Sequence, residues 1–302
     1  MRDKGTIKER QIYILKKSVR WWNWYRKLNG INSIDLSYAD FSMLNLTGID
    51  LSNADCNACN FKNTTLRDAN LVASKLTNID LTKTVLYESK TYGINLTGSD
   101  LSGGPDLSNL DFTWAKLNHV KCIRGCLSNV KFYGTEMFHS DFSNSVFHDC
   151  KFESVKILYA RMDNCRFIKS SFNNSDLTCT TFNNTNLSGT RFERTDLKYV
   201  IFKDANLRDC KFGGIDLASV NLNNANLEGA DLDYSSLGLS CKSLKARFDE
   251  KHLYQFLFHT LTPYKHHPEI VKDPELKELL DSDLFKKVAY KFDHANDGIV
   301  KG

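Results

Sequence analysis

Cysteine and histidine are the side chains of this sequence that could bind a metal ion or act as nucleophiles. The chain has nine cysteines in 302 residues, and Cys56 and Cys59 form a CxxC pair. The histidines at 252, 259, 266 and 267 lack the four-residue spacing that places two imidazoles on one zinc ion. Residues 293–298 resemble the start of a calcium loop, but alanine occupies a ligand position. We therefore predict no metal site, no cofactor and no enzymatic activity.

Composition and charge narrow the class of protein. Hydrophobic residues make up 41% and charged residues 25%, which supplies a large core and excludes wholesale disorder. A formal net charge of +4 is too small to indicate nucleic acid or a membrane by itself. No apolar run approaches the roughly 20 residues that span a bilayer, and residues 1–17 lack the apolar stretch of a signal peptide. These features predict a cytoplasmic protein without a transmembrane segment, whose cysteines stay reduced.

An apolar residue returns at every fifth position over most of the chain. The series starts at Leu36, has one polar member at Thr91, and runs from Leu107 to Leu237 after a one-residue insertion within 102–106. Small or β-branched residues occupy the position two before, with Asp, Asn or a basic residue between. Alternate residues of a strand point to the same side, so the small and the apolar residue both point inward. The other two residues are rich in Ser, Thr, Asn and Gly and are predicted to form a turn.

A chain that turns every five residues coils into a solenoid of parallel strands. Ala39-Asp40-Phe41, Ala69-Asn70-Leu71, Ala205-Asn206-Leu207 and Ala230-Asp231-Leu232 resemble the A(D/N)LXX signature of pentapeptide-repeat proteins. The resemblance covers about two thirds of the chain. It implies an all-β solenoid, a right-handed quadrilateral parallel β-helix with four pentapeptides per coil. Roughly ten coils spaced by ~4.8 Å would give a rod of about 50 Å.

The inward positions carry phenylalanines and cysteines as well as leucines. We expect the phenylalanines of neighbouring coils to stack into a ladder inside the rod. Six cysteines are also predicted to point inward, where a thiol behaves as a small hydrophobe; they are Cys56, Cys59, Cys122, Cys150, Cys165 and Cys210.

The two ends of a solenoid need caps, because open strand edges invite pairing with other chains. Residues 1–30 are predicted to be an N-terminal helical cap, with one helix over 6–28. Residues 31–239 form the repeat, with its phase shift at 102–106. Residues 240–302 are predicted to be a C-terminal helical segment that caps the last coil or, by the resemblance, forms a homodimer.

The N-terminal cap also combines basic and aromatic residues. Residues 1–30 hold nine Lys or Arg against two Asp or Glu, a net charge of +7. The candidate basic and aromatic face consists of Trp21, Trp22, Trp24 and Arg26. Such a face can bind nucleic acid or an anionic membrane. The alternative is a cap with a solvated basic side.

Charge along the repeat supplies a second candidate surface. Residues 31–111 contain five basic and ten acidic residues, and residues 171–239 contain six basic and nine acidic residues. The middle segment, residues 112–170, contains nine basic and five acidic residues and is therefore basic. With four pentapeptides per coil, residues 20 apart stack on one face. The candidate partner-binding stripe is then Lys131, Lys151, Arg191 and Lys211, with Ser171 between. It is either a solvated face that Glu153 and Glu193 partly neutralise, or a site for an acidic or phosphate-bearing partner.

We expect a non-enzymatic binding or scaffold protein that recognises an unidentified protein partner through a rod face or its terminal helices. The resemblance also implies an alternative, the protection of DNA gyrase and topoisomerase by a rod that imitates DNA. DNA carries about one charge per 1.7 Å, and the repeat has a basic middle, which argues against close mimicry. A supercoiling assay with quinolone-inhibited gyrase separates these two hypotheses. Membrane or nucleic-acid association through the N-terminus is the third, and nucleic acid is the less expected ligand.

Overall fold

Two short helices precede a long coil of parallel strands. The computed structural model describes residues 6–103, 105–232 and 246. The helices are α1 (Ile7–Lys17) and α2 (Val19–Leu28). The strands are β1 (Ile34–Asp35), β2 (Ala54–Asp55), β3 (Cys126–Ser128), β4 (Val146–His148), β5 (Lys151–Glu153), β6 (Arg166–Ile168) and β7 (Ser171–Asn173). The predicted helices within 240–302, and the homodimer assigned to that segment, lie outside the described residues.

Neighbouring coils pair in parallel, 20 residues apart. β1 pairs with β2, β3 with β4, β4 with β6 and β5 with β7. Ile34 lies opposite Ala54, and single bridges such as Asp40 with Asn60 continue the same spacing around the coil. Because each side and corner uses five residues, this register gives four pentapeptides per coil. The parallel β-solenoid is confirmed, whereas its right-handedness and its roughly ten coils stay predictions.

The corners are turns whose third residue is left-handed. In the first turn Tyr38 has φ 63°, and the Ala39 N–H donates to the Leu36 carbonyl at 3.1 Å. Positive φ at this place is typical of a type II turn and favours Gly or Asn, yet Met43 and Trp114 also adopt it. The conformation costs a residue with a side chain about 1–2 kcal/mol. The coil offsets this cost, because the Tyr38 N–H donates to the Asn57 carbonyl of the next coil at 2.9 Å.

Phenylalanines form the predicted ladder inside the rod. Phe152 stacks on Phe132 at 4.6 Å between ring centroids and on Phe172 at 4.5 Å. Phe147 and Phe167 form a parallel stack on the adjoining side, also at 4.6 Å. All five rings are buried. The aromatic pairs therefore link consecutive coils across the core.

The insertion within 102–106 changes the register without breaking the coil. Partners that span it are 21 residues apart, as in Asn95 with Lys116. Thr91, the polar member of the apolar series, is buried, and its hydroxyl donates to the Asp111 carbonyl at 2.8 Å. A threonine fits this position because its hydrogen bond is satisfied inside the rod.

The prediction of one helix over 6–28 is wrong, because the chain breaks at Ser18. This residue is extended, with φ −166° and ψ 124°, and its hydroxyl accepts a hydrogen bond from the Trp21 N–H at 3.3 Å. Serine is a favoured N-cap, since its oxygen satisfies an amide at the start of a helix. Helix α2 begins after this break, and its Trp22 packs against the first coil. Within the described residues, neither helix is long and apolar enough to cross a membrane.

The six cysteines predicted to point inward are all buried. Burial raises the pKa of the Cys150, Cys165 and Cys210 thiols to about 12. Cys126, in contrast, is exposed on β3. Among the described residues, no group of three or more His, Cys, Asp or Glu could hold a metal ion.

Native protein treated with a maleimide at neutral pH is expected to react at Cys126 and to spare Cys150, Cys165 and Cys210. A thiol reacts as the thiolate, and burial both excludes the reagent and disfavours that form. Peptide mass mapping before and after denaturation measures the modification at each site. Labelling of Cys150 in native protein as fast as that of Cys126 would contradict the buried positions.

Candidate binding surfaces

The predicted basic stripe forms one column on the outside of the rod. Lys131 bridges to Lys151, Ser171 follows in register through β5 and β7, and Arg191 bridges to Lys211. The four basic residues are exposed, and Ser171 is half-buried. We call these five residues the basic column. The repeat places them together because the outward residue of every fourth pentapeptide lies on the same side.

An acid lies opposite the basic column at each end, Asp111 opposite Lys131 and Asp231 opposite Lys211. Lys131 pairs with Asp111 at 3.5 Å, between side chains that are 66% and 39% exposed, so the pair contributes little stability. In one of the two interpretations of the sequence, Glu153 and Glu193 partly neutralise the column. Among the described residues, neither glutamate forms an ion pair with a basic residue of the column. Positive charge is therefore exposed mainly in the middle of the column, at Lys151 and Arg191.

An exposed group of aromatic side chains lies at the corner that directly follows the strands carrying the basic column. Trp114 and Tyr133 are in edge contact, with ring centroids 5.3 Å apart, and are 54% and 43% exposed. Tyr92 belongs to the same corner and is 47% exposed. We call these three residues the aromatic corner. Gly134 permits the arrangement, because a Cβ there would come within 2.5 Å of the Trp114 ring.

Sequence reasoning missed the aromatic corner. Tyr92 and Tyr133 stand in the same place of their pentapeptides, two coils apart, once the inserted residue is counted. Aligning the sequence in blocks of 20 residues, with the shift at 102–106, brings them together. A second exposed stack follows a different side, with His119 on His139 at 5.2 Å and His139 on Tyr159 at 5.1 Å.

The N-terminal cap divides into a buried and an exposed side. Trp22 is fully buried and Arg26 is 4% exposed, so these two do not belong to the predicted basic and aromatic face. Trp21 and Trp24 do, being 67% and 59% exposed. The difference follows from the helix, since residues four apart share one side of it.

The buried side of α2 takes the place of a missing strand. The Trp22 indole N–H donates to the Asp50 carbonyl at 2.7 Å. Arg26 donates to the same carbonyl at 2.9 Å and to the Ser52 carbonyl at 2.6 Å. Asn23 accepts from the Asp50 N–H at 2.9 Å. These contacts satisfy edge groups of the first coil that have no preceding coil to pair with.

Burial has an electrostatic cost at Arg26. It lowers the pKa of the guanidinium from its ordinary value, and the Asp50 carboxylate, 3.5 Å away, opposes that shift. Three hydrogen bonds to carbonyls accompany this ion pair, the third to Ile31 at 3.1 Å. A buried charge that is paired and hydrogen-bonded in this way holds a structural position. Arg26 therefore fixes α2 to the coil.

A coil of parallel strands with a capped edge and ordered side-chain columns defines a repeat protein of the β-solenoid class. The family model for pentapeptide repeats matches residues 32–68 and 66–103, and the model for a pentapeptide repeat region matches 161–232. The model for the SV2A/B/C luminal domain matches 105–192. The chain belongs to the pentapeptide-repeat family.

Solved structures of this family are similar to the chain at low identity. HetL, a pentapeptide repeat protein involved in heterocyst differentiation regulation from the cyanobacterium Nostoc, is 21% identical over 74% of this chain and 92% of its own, with a TM-score of 0.35. Trypsin-treated QnrB1, a plasmid-mediated fluoroquinolone resistance protein, is 13% identical over 74% and 96%, with a TM-score of 0.30. No curated protein matches the sequence.

Proposed function

We propose that this protein is a non-enzymatic binding rod that recognises an acidic protein partner through the basic column and the aromatic corner. In this proposal the rod is a right-handed quadrilateral β-helix of roughly ten coils in the cytoplasm. One observation carries the proposal, which is that a column of basic residues adjoins exposed aromatic side chains on a rigid coil.

The geometry of the basic column favours a ligand of complementary charge. Lys131 lies directly opposite Lys151, and Arg191 opposite Lys211. Like charges in direct cross-strand pairs destabilise a sheet. An acidic partner would remove this repulsion on binding. From Lys131 to Lys211 the column extends about 19 Å, at ~4.8 Å for each coil, which suits a short acidic segment along the rod.

The aromatic corner supplies the apolar part of such an interface. Tyr and Trp are enriched among the residues that contribute most to protein binding, because each covers a large area with few rotatable bonds. Trp114 and Tyr133 already contact one another, so little of their freedom is left to lose on binding. The corner lies beside the Lys131 end of the basic column, and a partner on that side can contact both.

The gyrase-protecting alternative has less support from the described residues. On another side of the rod Asp100, Lys121, Asp141 and Arg161 are successive partners. Arg161 also pairs with Asp141 at 3.4 Å. Acidic and basic side chains alternate here, whereas DNA presents a continuous row of negative charge.

Changing Lys131, Lys151, Arg191 and Lys211 together to glutamate is expected to weaken partner binding at least 30-fold. Four surface pairs of ~0.5 kcal/mol each give about 2 kcal/mol, which is ~30-fold in the dissociation constant. The partner is first isolated and identified with wild-type protein as bait. The dissociation constant is then measured with both components purified.

The matched control changes four other exposed lysines to glutamate: Lys75, Lys116, Lys121 and Lys156. They occupy the same outward strand position on other sides of the rod, so the net charge changes equally. The dissociation constant of the control is expected to lie within about threefold of the wild-type value. Its lower net charge weakens the long-range attraction that speeds association, and this has only a modest effect on affinity. If both variants lose binding equally, the partner responds to net charge and the basic column is not its site.

A further inference from the structure

We propose that the N-terminal cap docks the end of the rod on an anionic lipid surface. The surface consists of the outward side chains of α1 and α2. It is distinct from the basic column and from the aromatic corner, so this inference does not depend on the protein partner proposed above.

The outward side of α2 is apolar although its inward side already packs on the coil. Trp21, Trp24 and Leu28 are 67%, 59% and 65% exposed. Their spacing of three and four residues places them on one side of the helix. The two indoles contact each other with centroids 6.5 Å apart. Trp22 and Arg26 attach the helix, and Trp21 and Trp24 therefore have no part in holding the cap to the rod.

Helix α1 also carries exposed apolar side chains. Ile7 is 74% and Tyr13 63% exposed, and the Lys17 ammonium lies 5.4 Å from the centre of the Tyr13 ring. Exposed apolar residues on their own are common. Here they occur on both helices of one small cap, together with a high density of positive charge.

The charge of the cap is complementary to anionic lipid. Five of its basic residues are exposed: Arg10, Lys16, Lys17, Arg20 and Lys27. Within the part of the chain that the structure describes, none of the five forms an ion pair. The cap's only described acid, Glu9, accepts the Thr6 N–H in a capping box at 2.6 Å. The exposed charge is therefore almost wholly positive.

The combination of residues favours a lipid surface over nucleic acid. Tryptophan and tyrosine prefer the membrane interface, and lysine and arginine bind its anionic headgroups. Bases could stack on the two indoles, but nucleic acid offers no apolar environment for Leu28 and Ile7. The helices would lie in the interface plane, since neither is long enough to span a bilayer.

The test is a vesicle flotation assay with the full chain. Wild-type protein is expected to bind vesicles of phosphatidylcholine with phosphatidylserine, and to bind pure phosphatidylcholine at least tenfold more weakly, because the exposed cations then lose their partners. Changing Trp21, Trp24 and Leu28 together to serine is expected to weaken binding to the anionic vesicles about 100-fold.

A matched control removes three exposed apolar side chains from the rod, with Val85, Tyr159 and Tyr199 changed to serine. It is expected to bind anionic vesicles as wild type does. Circular dichroism melting curves verify that both triple variants fold, since none of the six residues is buried. Equal binding of wild type and the Trp21, Trp24 and Leu28 variant, or absence of binding to anionic vesicles, overturns the proposal. It is also overturned if single-stranded DNA binds more tightly than vesicles and displaces them.

Discussion

Trp22→Ala is expected to lower the free energy of unfolding by about 3–5 kcal/mol, the usual cost of truncating a buried aromatic side chain. The Trp22 indole is fully buried between α2 and the first coil. The variant loses that packing and also leaves the Asp50 carbonyl without the indole hydrogen bond. Guanidinium denaturation of both proteins, followed by circular dichroism, measures the difference.

The adjacent residue is the matched control for this prediction. Trp21→Ala removes the same side chain from the exposed side of α2, and we expect the free energy of unfolding to change by no more than about 0.5 kcal/mol. Equal destabilisation by the two variants would mean that α2 does not cap the coil as described. The pair also separates stability from the lipid binding proposed above, which only Trp21 is expected to affect directly.

The contrast between these neighbours shows what an N-terminal cap needs in a β-solenoid. An edge strand exposes amides and carbonyls that a preceding coil would otherwise pair. Asn23 and Arg26 supply side-chain donors and acceptors to those groups in place of a backbone. A helix can therefore close a strand edge when its inward side carries polar groups of the right reach.

The coil could be predicted from the sequence because its period is strict. In each pentapeptide the apolar residue and the residue two before it point inward, so positions such as Phe152 and Cys165 are identified by counting alone, and both are buried. The basic column follows from the same counting, since its members are 20 residues apart. The left-handed corners do not follow from it, because counting gives no backbone angle and residues such as Tyr38 adopt a positive φ that normally favours Gly or Asn.

The cap could be predicted only in outline. The apolar spacing of Leu15, Val19 and Trp22 runs through Ser18 as if one helix continued, whereas in the structure Ser18 is extended and is the N-cap of α2. Tryptophans at 21, 22 and 24 give α2 apolar residues on more than one side. Periodicity does not then say which side packs. The side that packs is the one from which Trp22 and Arg26 donate hydrogen bonds to the carbonyls of Asp50 and Ser52.

The second large effect is expected at the centre of the phenylalanine ladder. Phe152→Ala should lower the free energy of unfolding by about 3–5 kcal/mol. It removes the stacks on Phe132 and Phe172 and the edge contacts with Phe147 and Phe167, at 5.4 and 5.9 Å. Phe152→Leu keeps most of the volume and restores the residue common at this repeat position, and is expected to cost less than about 1.5 kcal/mol.

The position of Phe152 also determines how the variant unfolds. Each coil of a solenoid contacts only its neighbours, so a cavity in the middle weakens the coupling between the two halves. Phe152→Ala is therefore expected to give two denaturant transitions, or one with a reduced slope. Phe41→Ala makes a similar cavity in the first coil, where it loosens the end of the rod and leaves the main transition single. A single transition of unchanged slope for Phe152→Ala would show that the phenylalanine ladder does not couple the two halves of the rod. The hydrogen bonds between coils would then be sufficient for that coupling.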